Sequence, residues 1–163
     1  MKWNTETAAA LYNASKESKP EEIPAGEYWV KITASEAYTF EDDPDNYGTL
    51  IEVTITRGQQ RGKKLYKFIT FGGRDKKKLY DADFFLRGLY ISCCVERPEV
   101  TTPDKLRGLS GYILKYRRTP QDFSFSPYSG HYRQLMKLNA RIDAELAERK
   151  ERNKGLSAAL NKD

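Results

Sequence analysis

The sequence predicts a mainly-β domain: a small barrel of five short strands, with one helix inserted between the third and fourth strands and a second at the C-terminus. Three observations predict it. Apolar and polar residues alternate over five short stretches, the last of them weaker, which is the period of a half-buried strand. Between the third and fourth stretches the spacing lengthens to three and four, the period of an amphipathic helix. Glycine, proline and acidic clusters punctuate the joins.

Residues 1–24 read as an N-terminal extension. A short helix fits Thr7–Ser15, with Leu11 and Tyr12 on one side, and Lys19, Pro20, Glu21, Glu22, Ile23 and Pro24 follow as a stiff connector because proline fixes φ. Order begins at Gly26. From Glu27 to Ala37, Tyr28, Val30 and Ile32 alternate with Trp29, Lys31 and Thr33. After the turn at Glu41–Asn46, Ile51, Val53 and Ile55 alternate with Glu52, Thr54 and Thr56 in a second strand. Arg57–Gly62 is a glycine-bounded hairpin, and a third strand runs from Lys63 to Phe71. Leu79, Ala82, Leu86, Leu89, Tyr90 and Cys93 then mark a helix over about Lys76–Cys94. Strand alternation returns at Tyr112, Leu114 and Tyr116 against Ile113, Lys115 and Arg117. A weaker fifth strand covers Asp122–Ser126, and Tyr132–Asn153 is helical, with Leu135, Leu138, Ile142 and Leu146 in a stripe. Three strands, a helix and two strands is the order of an OB-fold barrel, here spanning residues 25–128, with 129–163 as C-terminal helix and tail. An open antiparallel sheet covered by the two helices is the alternative.

Composition limits the function. The 163 residues carry a net charge of +5, unevenly spread: residues 1–52 hold 4 Lys/Arg against 11 Asp/Glu, leaving 24 against 12 for the rest. Such segregation suits a polyanionic partner. No apolar run is long enough to span a bilayer, and the N-terminus lacks the order of a secretory signal, so no membrane partner and a cytoplasmic location are expected. The two cysteines, Cys93 and Cys94, are neighbours and His131 is the single histidine, too few for a zinc site. The acidic turn Glu41, Asp42, Asp43, Asp45 fails the calcium-loop pattern, because counting from Asp43 puts Tyr47 fifth and Thr54 twelfth. There is no phosphate loop, nucleophile elbow or triad. No cofactor and no enzymatic activity are expected.

The strongest local signal is Arg57–Lys78, where Arg57, Arg61, Lys63, Lys64, Lys67, Arg74, Lys76, Lys77 and Lys78 stand against Asp75 alone, interleaved with Tyr66, Phe68 and Phe71. Cations that track phosphates and π-faces on which bases stack are the two requirements of a single-strand groove. Lys105, Arg107, Lys115, Arg117 and Arg118, flanking Tyr112 and Tyr116 in the fourth strand, add a second cluster. Trp29 and Lys31 share the non-core parity of the first strand. In the third strand, Leu65, Ile69 and Phe71 compete with Tyr66 and Phe68 for the core, so its parity is open.

The stretches Pro24-Ala-Gly-Glu-Tyr-Trp-Val-Lys-Ile32, Leu50-Ile-Glu-Val-Thr-Ile55 and Gly58-Gln-Gln-Arg-Gly-Lys-Lys-Leu65 resemble the phage- and prophage-encoded OB-like single-stranded-DNA-binding proteins. Those proteins open with Gly-x-Tyr-x-Val-x-Ile followed by Gly-x-x-x-Gly-Lys/Arg. The resemblance covers roughly residues 24–118. It implies a barrel with Gly26, Gly58 and Gly62 at bends, and a role in coating single strands during phage DNA replication or recombination. The acidic, aromatic-tipped tail common among single-strand binders is missing from the end, Leu156-Ser-Ala-Ala-Leu-Asn-Lys-Asp163.

Taken together, the sequence predicts a protein that binds single-stranded DNA with little sequence preference, RNA being open on sequence grounds. The expected nucleic-acid-binding residues are Trp29, Lys31, Arg61, Lys63, Lys64, Tyr66, Phe68, Arg74, Lys115, Tyr116, Arg117 and Arg118. The tail stripe predicts a face packed on the barrel or, as the alternative, a homodimer through the C-terminal helix. Replication or recombination proteins are the other expected partners. Two other classes stay open: a metal-dependent nuclease or recombination enzyme using the acidic turn, and an adaptor whose tail helix binds another protein.

Overall fold

The computed structural model describes residues 1–117, 119, 121–126 and 130–160, with side chains in the last stretch at 138 and 140–155. Its elements are β1 (Lys2–Trp3), α1 (Glu6–Glu17), β2 (Gly26–Thr39), β3 (Tyr47–Ile55), β4 (Lys64–Gly72), α2 (Lys76–Ser92), α3 (Pro103–Leu106), β5 (Ser110–Lys115), β6 (Phe123–Phe125) and α4 (Gly130–Leu160). The chain is mainly antiparallel β, a sheet in the order β4-β3-β2-β5-β6 curled into a half-barrel, with helices around it. β2 is long enough to pair with β3 along Val30–Thr39 and with β5 along Gly26–Lys31. A register shift between Ile32 and Ala34 bends it where it changes partners.

The inner face carries Val30 and Ile32 of β2, Ile51, Val53 and Ile55 of β3, Leu65 and Ile69 of β4, Ile113 of β5 and both phenylalanines of β6. Leu65 pairs with Val53, which settles the parity of β4: Tyr66 and Phe68 point outward. α2 lies against β4, β5 and β6, and Phe85 packs edge-on to Phe123 and Phe125 at 6.0 and 5.7 Å. Gly88 permits this close approach, since a Cβ there would sit 2.4 Å from the Phe125 carbonyl oxygen.

β4 and β6 end the sheet, and side chains rather than a ladder join them. Lys67 of β4 points inward and donates from Nζ to Asp122 Oδ1 at 2.7 Å and to the Phe123 carbonyl at 3.2 Å. The N-terminal stretch is built into the body as well. β1 pairs with the end of β2, at Lys2↔Thr39 and Trp3↔Tyr38. α1, capped by the Thr5 hydroxyl on the Ala8 N–H, buries Ala8 and Leu11. Trp3 and Tyr12 pack over Tyr38 and Phe68 with ring centroids 4.9–6.2 Å apart, on the outer side of the sheet. Pro20 and Ile23 are buried, and Ile23 joins the inner core.

Of the tail stripe, the Leu135 side chain lies outside the described residues. Leu138, Ile142 and Leu146 are about half exposed, and α4 meets the body at β5. No helix among the described residues is long and apolar enough to cross a membrane.

Candidate nucleic-acid interface

Register arranges the outer face of the sheet into rows. In one, Lys31 of β2 pairs with Thr54 of β3, which pairs with Lys64 of β4, so two cations flank a threonine. Strands lie about 4.8 Å apart, which separates the two lysine backbones by about 10 Å. In the next row Trp29 pairs with Tyr112 of β5, and their rings meet edge to face at 4.1 Å. On the other side of the lysine row, Glu52 pairs with Tyr66.

The β3–β4 hairpin overhangs the end of these rows. Gly58 and Gly62 adopt φ of +84° and +89°, conformations that cost a side-chain-bearing residue, and the Gly62 N–H closes the turn on the Ile55 carbonyl at 2.8 Å. The hairpin is tied to β2 by the Thr56 N–H on the Trp29 carbonyl, 2.9 Å. This brings the Arg57 guanidinium over the Trp29 ring, 4.5 Å from its centroid, a cation–π contact that orients both groups. Arg61 and Lys63 are exposed on the same hairpin.

Glu52, a carboxylate in the middle of this face, is buried. Its Oε1 accepts from Thr33 Oγ1 at 2.7 Å and Lys64 Nζ at 2.9 Å, and its Oε2 from the Tyr66 hydroxyl at 2.9 Å. Burial alone would raise its pKa. The hydrogen bonds from Lys64, Thr33 and Tyr66, with the Lys64 charge, outweigh burial and hold it below the usual carboxylate range. The same contact, after burial, pushes the Tyr66 phenol well above its ordinary value, so Tyr66 stays a neutral donor. Glu52 therefore fixes the Tyr66 ring and already neutralises Lys64.

The structure thus brings together six of the twelve residues expected from sequence: Trp29, Lys31, Arg61, Lys63, Lys64 and Tyr66. Tyr116 and Arg117 are exposed at the same end of the sheet, beyond β5, and the Tyr116 hydroxyl shares a 2.6 Å hydrogen bond with Ser124 Oγ. Phe68 has the right parity but lies among Trp3, Tyr12 and Tyr38, and 45 % of its surface is exposed.

Two expectations are corrected. Lys115 is turned inward and buried, its Nζ donating to the Ile23 carbonyl, and burial lowers its pKa. Arg74 follows β4 at the far end of the sheet, beside the acidic turn, where Gly73 abuts Asn46. The nine residues of β4 put it about 30 Å from the hairpin. Arg118 lies outside the described residues.

Sequence reasoning counted Arg57 and Tyr112 in its basic and aromatic clusters without assigning them to the site, and it missed Glu52 and Thr33. A buried glutamate at a strand position opposite a lysine and a tyrosine is visible only once register is known. Among the described residues, no group of three or more His, Cys, Asp or Glu is arranged to hold a metal. The chain matches no protein-family model and no curated protein.

Proposed function

We propose that this chain binds single-stranded DNA, with little sequence preference and without catalysing a reaction, across the outer face of an OB-type barrel. The sheet order and the long β2 shared between β3 and β5 support the OB-type reading, as does the chain order of three main strands, a helix and two strands. The observation that carries the binding reading is the grouping of Trp29 and Tyr66 with Lys31, Arg61, Lys63 and Lys64 on one face and its overhanging hairpin. Cations there meet phosphates while the aromatic rings accept bases, and neither contact reads a base edge. The resemblance to phage-encoded single-strand binders supports a role in replication or recombination, with proteins of that machinery as partners.

Fluorescence anisotropy with labelled single-stranded DNA, duplex DNA and RNA at two salt concentrations tests the proposal. Tightest binding to single-stranded DNA, weakening with salt, is the expected result. Preference for duplex would remove the stacking half of it, preference for RNA would change the substrate, and magnesium-dependent loss of the intact strand would make the protein a nuclease.

A further inference from the structure

β4 is an edge strand, and half of its backbone faces no other strand. The hairpin fixes which half. The Ile55 N–H donates to the Lys63 carbonyl at 2.9 Å, and the Gly62 N–H donates to the Ile55 carbonyl at 2.8 Å. Counting on in twos along the pairing, Leu65, Lys67 and Ile69 bond to Val53, Ile51 and Thr49 of β3. The backbone N–H and C=O groups of Tyr66, Phe68 and Thr70 therefore point the other way. Among the described residues, nothing donates to them or accepts from them.

This edge is the floor of a groove. A cavity of about 450 Å³ lies along Lys67–Thr70, and a smaller one of about 150 Å³ continues it past Leu65 and Tyr66, with Phe68 in the wall of both. One side is a row of α2: Lys78, Asp81, Ala82 and Phe85, spaced three and four apart and so on one face of the helix. Lys78 to Phe85 is about 10 Å of helix, which matches the three strand steps from Lys67 to Thr70. Lys67 Nζ lies 4.6 Å from the Phe85 ring centroid, which sets the Lys78 end of the row toward Thr70. Tyr38 and Phe68 line the groove from the outer side of the sheet.

We propose that this groove receives an extended segment of a partner protein as an added strand beside β4, with apolar side chains at alternate positions and a carboxylate at the end next to Lys78. A row of free N–H and C=O groups is matched by a peptide backbone in strand conformation, which satisfies both kinds of group at each step. Alternate apolar side chains fit because Ile69, Ala82 and Phe85 meet the groove on one side of the edge and Phe68 on the other. The carboxylate follows from charge. Arg74, Lys76, Lys77 and Lys78 enter no ion pair among the described residues. Asp75 is occupied in capping α2, which leaves Asp81 alone against them. The acidic turn lies on the β3 side of this end, where Asn46 meets Gly73. The β4 of a second copy fits less well: it would carry its own α2 row into the groove, and a two-fold pairing centred on Lys67 sets lysine against lysine. The groove shares only Tyr66 with the nucleic-acid face, so the two readings fail separately.

Panning a displayed library of random nonapeptides on the full-length chain, then titrating the best binder as a fluorescent synthetic peptide, tests the proposal. Selected peptides are expected to alternate apolar residues and to carry Asp or Glu at one end. N-methylation of the alternate amides that face β4 should weaken binding about tenfold, while methylation of those between them should change it little. Thr70→Pro removes an edge N–H and no ladder bond, a position where a strand tolerates proline. It should melt near the parent, bind single-stranded DNA like the parent and bind the peptide about tenfold more weakly. Lys78→Glu, exposed on α2, should weaken the acidic peptide as well, and it carries the test if Thr70→Pro melts lower. A library that yields no such consensus overturns the proposal, as does a peptide that binds both variants like the parent or ignores N-methylation. So does an oligonucleotide that displaces the peptide and is itself weakened by Thr70→Pro, which would give the groove to nucleic acid.

Discussion

Replacing Glu52 by Gln should make this protein bind single strands more tightly at low salt, with a steeper salt dependence. The exposed cations of the proposed face are Lys31, Arg57, Arg61, Lys63 and Lys64. Lys64 is already neutralised by Glu52 at 2.9 Å, so it holds little condensed charge to exchange. Four free cations at about −0.7 per phosphate contact give a log–log slope of about −2.8 for the parent. Gln keeps the shape of Glu. Its carbonyl oxygen takes the place of Oε1 and accepts from Thr33, and its NH2 takes the place of Oε2 and donates to the Tyr66 hydroxyl. The lost charge releases Lys64 from its ion pair. The slope should therefore steepen by about 0.7, to about −3.5, and the affinity gain should vanish as salt rises.

The stability cost is small. Lys64 is nearly half exposed, and an ion pair with one solvated partner contributes about 1 kcal/mol or less. Anisotropy titrations of parent and variant at four salt concentrations, with melting curves beside them, read both effects. If the variant stays folded and binds with the parent's slope, or more weakly, Lys64 does not meet phosphate and the proposed face is wrong.

Three further outcomes follow from the same geometry. Trp29→Ala should weaken binding by about 1–3 kcal/mol yet leave the salt slope unchanged, because stacking displaces no counterions; its melting curve must accompany the titration, since Tyr112 and Arg57 lose their neighbour. Lys115→Met should leave the salt slope untouched while lowering Tm, as the Ile23 carbonyl loses its buried donor; a flattened slope would return Lys115 to the surface. Glu52 has a depressed folded pKa, so its stabilising contribution is complete above the ordinary value of about 4.3 and is lost as pH falls through the folded value. The Tm difference between parent and Glu52→Gln should accordingly shrink from pH 7 toward pH 3 in a calorimetric series, and a difference constant with pH would mean that Glu52 is not held charged.

Alternation located the strands wherever one face of the sheet is solvated, and failed where both are covered. β3 is the clearest case. Ile51, Val53 and Ile55 gave it away, but Gly48, Thr49 and Leu50 are buried too, because Leu50 faces outward and is covered there. Period two therefore breaks down, and the strand begins four residues earlier than the alternation indicated. The ambiguity of β4 has a related cause: Phe68 is apolar because it packs beside Trp3 and Tyr12 on the outer side, while inward parity falls on a lysine. Lys67 and Lys115 both point into the half-barrel, which charge alone argues against. Each is stabilised by an oxygen remote in sequence, the partner of Lys115 lying 92 residues away. For α4 the periodicity located the helix, but a stripe on a helix does not say what covers it, and Leu138, Ile142 and Leu146 are about half exposed.

The distribution of charge along β3 gives the proposed interface a direction. Its hairpin end carries Arg57, Arg61 and Lys63; its other end meets the turn with Glu41, Asp42, Asp43 and Asp45, nine strand residues or about 30 Å away. Between them α1 and β1 cover the outer face at Leu50 and Tyr38 and pack rings against Phe68, which stays 45 % exposed. A strand of nucleic acid drawn to the hairpin is then turned aside by ring-covered surface before it reaches the carboxylates. The uncovered path instead runs across the strands, from Tyr116 past Trp29 to Lys64 and the hairpin. Four strands at about 4.8 Å make this path about 14 Å wide between backbones, which suits the low end of the roughly 4–16 nucleotides that one OB fold occupies. A site so short gains little from its own contacts alone. Coating a long strand through the proposed face would then require many copies side by side.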